Sequence, residues 1–307
     1  MNLGLPYKGS KNTIAFDIVN ALPRGKKFLD ACCGGGAILM AAAMSMRWEK
    51  VVGNDLNPAT IALMDAVLIH KGQIEYEHPP VCTRDDFFHS LQRIENGDFD
   101  IQDCVNKYCA SFGNDGKTYL YGADIEKVKT TAEQMLCAGT LEQRRENYRA
   151  FIGFLLGDSS DECILRLQNL QQLTQLERLQ RLERLERLER LNIFDIDYSE
   201  FDVVYFDIPY RGTNKYDFEF DYDGFYDMFK NLGKPAFLSE YDAPFEAVAQ
   251  FDKAQNMAAS VGSTEKKEGL EKLYFNGSLE QYRELMGKEY KPLNDEKTLD
   301  LFGERVA

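Results

Sequence analysis

The chain has 307 residues, 44% hydrophobic, 28% charged, and a formal net charge of −14. Such a length accommodates one large α/β domain with an insert or a small second domain. No apolar stretch reaches the length of a bilayer span, and no signal-peptide pattern follows Met1. Seven cysteines without regular spacing suit a reducing cytoplasm rather than a disulfide framework, and with three scattered histidines they form no metal-ligand set. The acidic excess argues against broad electrostatic affinity for duplex nucleic acid, since phosphate contacts dominate that affinity.

In chain order, Lys27 to Ala37 reads as a short strand, an acid at Asp30 and a glycine turn, Ala31-Cys32-Cys33-Gly34-Gly35-Gly36, leading into the apolar segment Ile38 to Met46. Gly34 to Gly36 allow positive φ and close backbone approach, as a tight nucleotide-cradling loop requires. The pattern is not GxGxxG, and no P-loop lysine follows it. Val51 to Asn57 reads as a second strand ending at Asn54-Asp55, about twenty residues past the glycines. An acid there is suited to ribose hydroxyls. Together these features fit a nucleoside-type cofactor with no phosphate to cradle.

The middle segment carries Ser111 to Gly122, with a turn at Asn114 to Gly116. Predicted helices follow at Asp124 to Leu136 and Leu141 to Leu155. Polar and aromatic residues on such a loop suit base edges and phosphates, and Lys127, Lys129, Arg144, Arg145 and Arg149 supply local positive charge. A helical lid with a surface loop fits the same residues. From Leu167 to Leu191 leucine recurs at every third position, with mainly Gln, Glu and Arg between. This is not a heptad. Composition predicts an elongated helical insert, whereas the exact period also suits a 3₁₀ run or short solenoid turns. Self-association, a partner, contact with DNA through Arg178 to Arg190, and a mere spacer are the roles open to it.

Val203–Phe206 is a predicted buried strand running into Asp207-Ile208-Pro209-Tyr210. The Asp207 carboxylate and the Ile208 carbonyl can accept both protons of an exocyclic amine, Pro209 fixes the turn, and Tyr210 can stack on a flat ring. That is equipment for methylating the amino group of a base. Taken alone, the four residues read equally well as a strand-end turn. Between Ile193 and Asp227 ten acids face only Arg211 and Lys215, so the acids are unevenly spread. A further helix is predicted over Tyr222 to Leu232 and a strand over Pro235 to Glu240. Gly262 to Gly269 reads as a solvated hairpin turn or as a charged loop near DNA, and Lys288 to Ala307 as a polar, peripheral tail.

These motifs together resemble the Dam-type DNA adenine-N6 methyltransferases, including phage-borne relatives. Pro6 to Lys11 is similar to the family's PYxGGK signature, with Ser10 for the second glycine. Asp30 to Gly36 resembles DxFxGGG with Cys32 for the aromatic. Asn54 to Asn57 matches NDxN, and Asp207 to Tyr210 stands for DPPY with Ile208 for the first proline. Arg211 to Asn214 and Ser239 to Tyr241 resemble the family's continuation. The resemblance covers roughly residues 5–60 and 195–275.

The resemblance implies a Rossmann-like S-adenosylmethionine-dependent sheet with an inserted, mainly helical recognition domain. The expected division is a catalytic domain over 1–74 and 192–307, target recognition over 75–163 and the leucine repeat over 164–191. It implies methyl transfer from S-adenosylmethionine to adenine N6 of a flipped-out base in DNA, by Asp207, Ile208, Pro209 and Tyr210. The cofactor would meet Tyr7, Lys11, Asp30, Cys32, Gly34, Gly36, Asp55 and Asp197, the last facing the adenine amine unless it is a simple turn acid. Asn114, Lys117, Tyr119, Arg144 and Arg145 would meet DNA. A cytoplasmic setting follows, with restriction–modification or phage origin among the contexts. The alternatives are cytosine-N4 methylation, which more often carries serine for the acid, and an inactive DNA-binding or assembly protein that uses the leucine repeat.

Overall fold

The computed structural model describes residues 3–5, 7–69, 82–137, 140, 142–143, 145–146, 184–210, 220–253 and 269–287. The chain divides into two compact units. One comprises Met1–Leu3, Lys11–Leu56 and Leu182–Ala307; the other comprises Gly4–Ser10 and Asn57–Arg181.

The first unit is built on a seven-stranded sheet. Its strands are β1 (Lys27–Asp30), β2 (Lys50–Asn54), β3 (Leu185–Glu189), β4 (Val203–Phe206), β5 (Ala236–Glu240), β6 (Glu246–Lys253) and β7 (Gly269–Phe275), in the order β3-β2-β1-β4-β5-β7-β6. Pairings from β3 through β5 are parallel, while β7 runs antiparallel to both neighbours. The order reverses between β1 and β4, with β2 on one side and β5 on the other, and open sheets of this kind place ligands at the carboxyl ends of the strands at such a point.

Helices α1 (Ala15–Asn20) and α2 (Ala37–Met44) belong to this unit. In α2, Ala37 through Ala43 are all buried, which is why that segment reads as unbroken apolar sequence rather than an amphipathic stripe. The remaining described helices of the unit, here α7 (Tyr222–Lys230) and α8 (Leu279–Met286), are capped by the side chains of Asp221 and Ser278. Phe225 and Phe229 of α7 pack edge-on against Phe206, with ring centroids at 5.2 and 5.9 Å. All three rings are fully buried, worth about 1.5–3 kcal/mol each relative to exposure. They anchor the end of β4, the point from which Asp207 emerges.

The strands expected before Asp30, at 203–206 and at 235–240 are present as Lys27–Asp30, Val203–Phe206 and Ala236–Glu240, and the helices expected at 124–136 and 222–232 as Glu126–Cys137 and Tyr222–Lys230; the apolar segment Ile38 to Met46 is helical over Ala37–Met44. The leucine repeat is corrected over its described end. Instead of continuing a helix, Leu185–Glu189 forms the edge strand β3, parallel to β2. The reason lies in a bulge. Val51 pairs with Leu185 but Val52 pairs with Arg187, so Glu186 is an extra residue. Val51 and Gly53 lie on one face of β2, and their partners are Leu185 and Leu188. The bulge thus converts a three-residue leucine spacing into the two-residue alternation that a strand needs. Residues 167–183 of the repeat, the helix expected at 141–155 apart from a few positions, the 262–268 loop and the 288–307 tail lie outside the described residues.

The second unit is helical. It includes α3 (Pro58–Met64), α4 (Arg84–Asn96), α5 (Ile101–Cys109) and α6 (Glu126–Cys137). Asn57 caps α3 with Pro58 at its first position, and capping boxes at Thr83/Asp86 and Asp100/Asp103 start α4 and α5. A small core of Phe87, Ala110, Tyr119 and Tyr121 sits under the loop after α5. Among the described residues no helix is long and apolar enough to cross a membrane.

Candidate active site

The carboxyl ends of β1, β2 and β4 bring the sequence motifs of the first unit together. Asn54, fully buried, donates to the carbonyls of Ala31 (3.0 Å) and Leu191 (3.1 Å) and accepts from the Leu191 amide (2.8 Å). It thereby ties the ends of β1, β2 and β3 to one another. Asp55 follows, and its carboxylate accepts the Gly34 amide at 2.8 Å. Gly34 and Gly36 adopt φ of 48° and 80°, and Gly36 is the N-cap of α2, so the glycines are required by backbone geometry there.

Asp30 is buried at 1% exposure. Neither of its oxygens makes a hydrogen bond of good geometry, although the Leu39 amide approaches it. Burial, then the charges of Asp207 and Asp55, hold its carboxyl well above the ordinary carboxylate range. Cys32 is partly buried, its sulfur approached by the Asp207 amide. Burial and the surrounding Asp55, Asp30 and Asp207 push its thiol well up, so it stays neutral.

Asp207 emerges from β4 beside Lys11. The Lys11 ammonium donates to both Asp207 carboxylate oxygens, at 2.8 and 2.9 Å, and to the Tyr210 hydroxyl. Tyr210 in turn donates to Glu271 at 2.5 Å, and Lys11 lies 3.5 Å from the same Glu271 oxygen. Burial alone would lower the pKa of Lys11, but Asp207 and Glu271 outweigh it and the net shift is upward. Burial and the same two carboxylates raise the Tyr210 phenol far above its ordinary value, so it remains a donor. Ile208 is buried, the Pro209 carbonyl accepts from Tyr222 (2.9 Å), and Tyr241 meets the Tyr210 ring edge-on at 4.7 Å. Among the described residues no cluster of His, Cys, Asp and Glu could hold a metal ion.

Lys11, Asp30, Cys32, Gly34, Gly36, Asp55 and Asp207–Tyr210 therefore share one unit and one end of its sheet. Asp197 is exposed after β3 and caps a short turn by accepting the Ser199 amide at 2.9 Å; that bond lowers its pKa. Tyr7 belongs to the second unit, where its ring lies 6.0 Å from that of Tyr108.

Of the residues expected at DNA, Asn114 sits at the predicted turn with φ 56°, and its carbonyl accepts the Lys8 amide. Lys117 and Arg145 are exposed, and Arg144 lies outside the described residues. Tyr119 is largely buried. It pairs with Ser111 across the loop, is 3% exposed, and donates its hydroxyl to the Cys82 carbonyl at 2.7 Å. Its ring lies in the small core beneath the loop.

Glu271 was missed by sequence reasoning. The readable signal was phase: on β7, Glu271 alternates with Leu273 and Phe275, both buried, so an acid shares an apolar face.

Residues 7–133 match the family model described as the D12 class N6 adenine-specific DNA methyltransferase. No match to a curated protein is found. Residues 7–133 are thus similar to the D12 class N6 adenine-specific DNA methyltransferases, in keeping with the Dam-type resemblance.

Proposed function

We propose that the carboxyl ends of β1, β2 and β4 form the methyl-transfer site, with S-adenosylmethionine as the methyl donor and a flipped-out adenine as acceptor. The observation carrying this is that Asp207 lies beside the glycine loop, with its amide on the Cys32 sulfur and its charge felt by Asp30. The strand order β3-β2-β1-β4-β5-β7-β6 with a single reversed strand supports a Rossmann-like methyltransferase sheet. A buried Asp30 short of hydrogen bonds and a glycine turn with positive φ suit the amine, amide and ribose groups of a nucleoside cofactor.

In this reading Asp55 takes ribose hydroxyls, Asp30 and the Gly34–Gly36 loop hold the methionine part, and Asp197 receives the cofactor's adenine amine. When bound, the sulfonium supplies an electrophilic methyl group. The adenine N6 lone pair is delocalised into its ring and is a weak nucleophile. Asp207 and the Ile208 carbonyl accept the two amine protons, which localises the lone pair and stabilises the charge developing on nitrogen. Tyr210 stacks on the extruded base, and the crevice aligns nitrogen with the methyl group. Unit two, within residues 75–163, is the proposed target-recognition domain, with Asn114, Lys117 and Arg145 toward DNA.

Methyl-labelled S-adenosylmethionine incubated with unmethylated genomic DNA, then nucleoside mass spectrometry, tests the reading. Labelled N6-methyladenine is expected. Labelled N4-methylcytosine would change the base and keep the chemistry, and no labelled nucleoside would contradict the proposal.

A further inference from the structure

The ammonium of Lys11 already occupies both oxygens of Asp207. An adenine amine can use that carboxylate only if Lys11 yields part of it. A buried ammonium, 3% exposed, cannot simply lose its counter-ion, because an uncompensated charge there is strongly destabilising. The chain supplies a second carboxylate. Glu271, on β7, is fully buried, with one oxygen 3.5 Å from the Lys11 nitrogen. That oxygen also receives the Tyr210 hydroxyl, while the other has no hydrogen-bond partner among the described residues. A buried carboxylate oxygen left unpaired beside an ammonium needs a reason.

We propose that Glu271 is the alternative counter-ion of Lys11. When the target amine engages Asp207, the ammonium moves toward Glu271, guided by the Tyr210 hydroxyl that touches both. Glu271 is thus a positioning residue. It never meets the base; it keeps Asp207 available as an acceptor while Lys11 remains charged and paired. This rests on the methyl-transfer reading above and adds to it the residue that frees Asp207.

The test compares Glu271→Gln and Glu271→Asp with the unaltered chain, using genomic DNA and labelled S-adenosylmethionine, with S-adenosylhomocysteine binding and thermal melting alongside. Gln keeps the acceptor for Tyr210 and the shape but removes the charge. A kcat reduced on the order of a hundredfold is expected for Gln, with KM for DNA and affinity for S-adenosylhomocysteine unchanged. Asp, which restores the charge on a shorter arm, is expected to recover part of that kcat. A Gln variant with unaltered kcat overturns the proposal, as does a loss confined to KM or to binding. If the Gln variant does not fold, Asp decides alone: it supports the proposal by measurable turnover at unaltered KM and overturns it by turnover that is absent in a folded protein. An unaltered chain that forms no labelled N6-methyladenine sinks the methyl-transfer reading itself, a result distinct from an active chain indifferent to Glu271.

Discussion

At the scale of single residues, the site combines, among the described residues, the buried cation Lys11 with several carboxylates, and the carboxylates do not share one fate. Lys11 lies against Asp207 and Glu271, whereas Asp30 is held with a raised pKa by burial and like charges. Because the folded-state value of Asp30 exceeds the unfolded one, the folded protein binds more protons between those two values. Stability therefore falls as pH rises from about 4, the ordinary carboxylate range, up to the raised value, and stays reduced above it. Asp30→Asn removes this penalty. Thermal melts should diverge in that window, with the variant more stable at neutral and alkaline pH, and calorimetry should find weaker S-adenosylhomocysteine binding. Parallel melting curves across the window would contradict the account.

Asp207, Asp30 and Asp55 were legible in the sequence because each ends a predicted strand, and sheet topology gathers strand ends. Glu271 was not, since its partners Tyr210 and Lys11 lie 61 and some 260 residues away, and only the alternation with Leu273 and Phe275 marked it. The burial of Tyr119 was hidden for another reason. A tyrosine on a polar loop reads as exposed, and only the pairing of Ser111 with Tyr119 determines which way it faces.

At the scale of elements, β3 is the clearest departure from expectation. Leu-Glu-Arg repeats have high helix propensity, and propensity gives way here to the free edge of β2 and to the bulge at Glu186. Gly53 records how closely that edge is packed. A Cβ added there would meet Leu39 Cδ2 at 2.7 Å and Leu188 Cδ2 at 2.8 Å. Gly53→Ala is therefore expected to cost about 1–3 kcal/mol by overpacking. Leu188→Ala alone, a half-buried leucine truncated, is expected to cost about 1–2 kcal/mol. The double variant should be less destabilised than the sum, because the smaller side chain vacates space for the new methyl group. Urea unfolding of the three variants measures this coupling, and strictly additive losses would argue against the contact. Such coupling matters for function because Gly53 immediately precedes Asn54 and Asp55.

At the scale of the whole molecule, a net charge of −14 must be reconciled with a DNA substrate. Specific contacts then have to come from few cations. Lys117, exposed beside the Asn114 turn, and Arg145 are the proposed ones. Lys117→Ala and Arg145→Ala should each weaken DNA binding and lower the slope of log affinity against log salt by about 0.9, with S-adenosylhomocysteine binding unchanged. Slopes identical to that of the unaltered chain would remove these residues from the interface. The sequence marked β1, β2, β4 and β5 because strand, turn and acid recur there at fixed offsets, but it did not mark β3, β6 and β7 as strands. It marked the helical unit less well, because the loop's directions depend on packing that no local pattern encodes.

The central claim, that Asp207 at the end of β4 is the acceptor that activates adenine N6, is tested most directly by single-turnover methylation with Asp207→Ala. The account predicts that the variant still binds S-adenosylhomocysteine and forms no labelled N6-methyladenine while the unaltered chain does. Labelled N6-methyladenine formed by Asp207→Ala at the rate of the unaltered chain would contradict it.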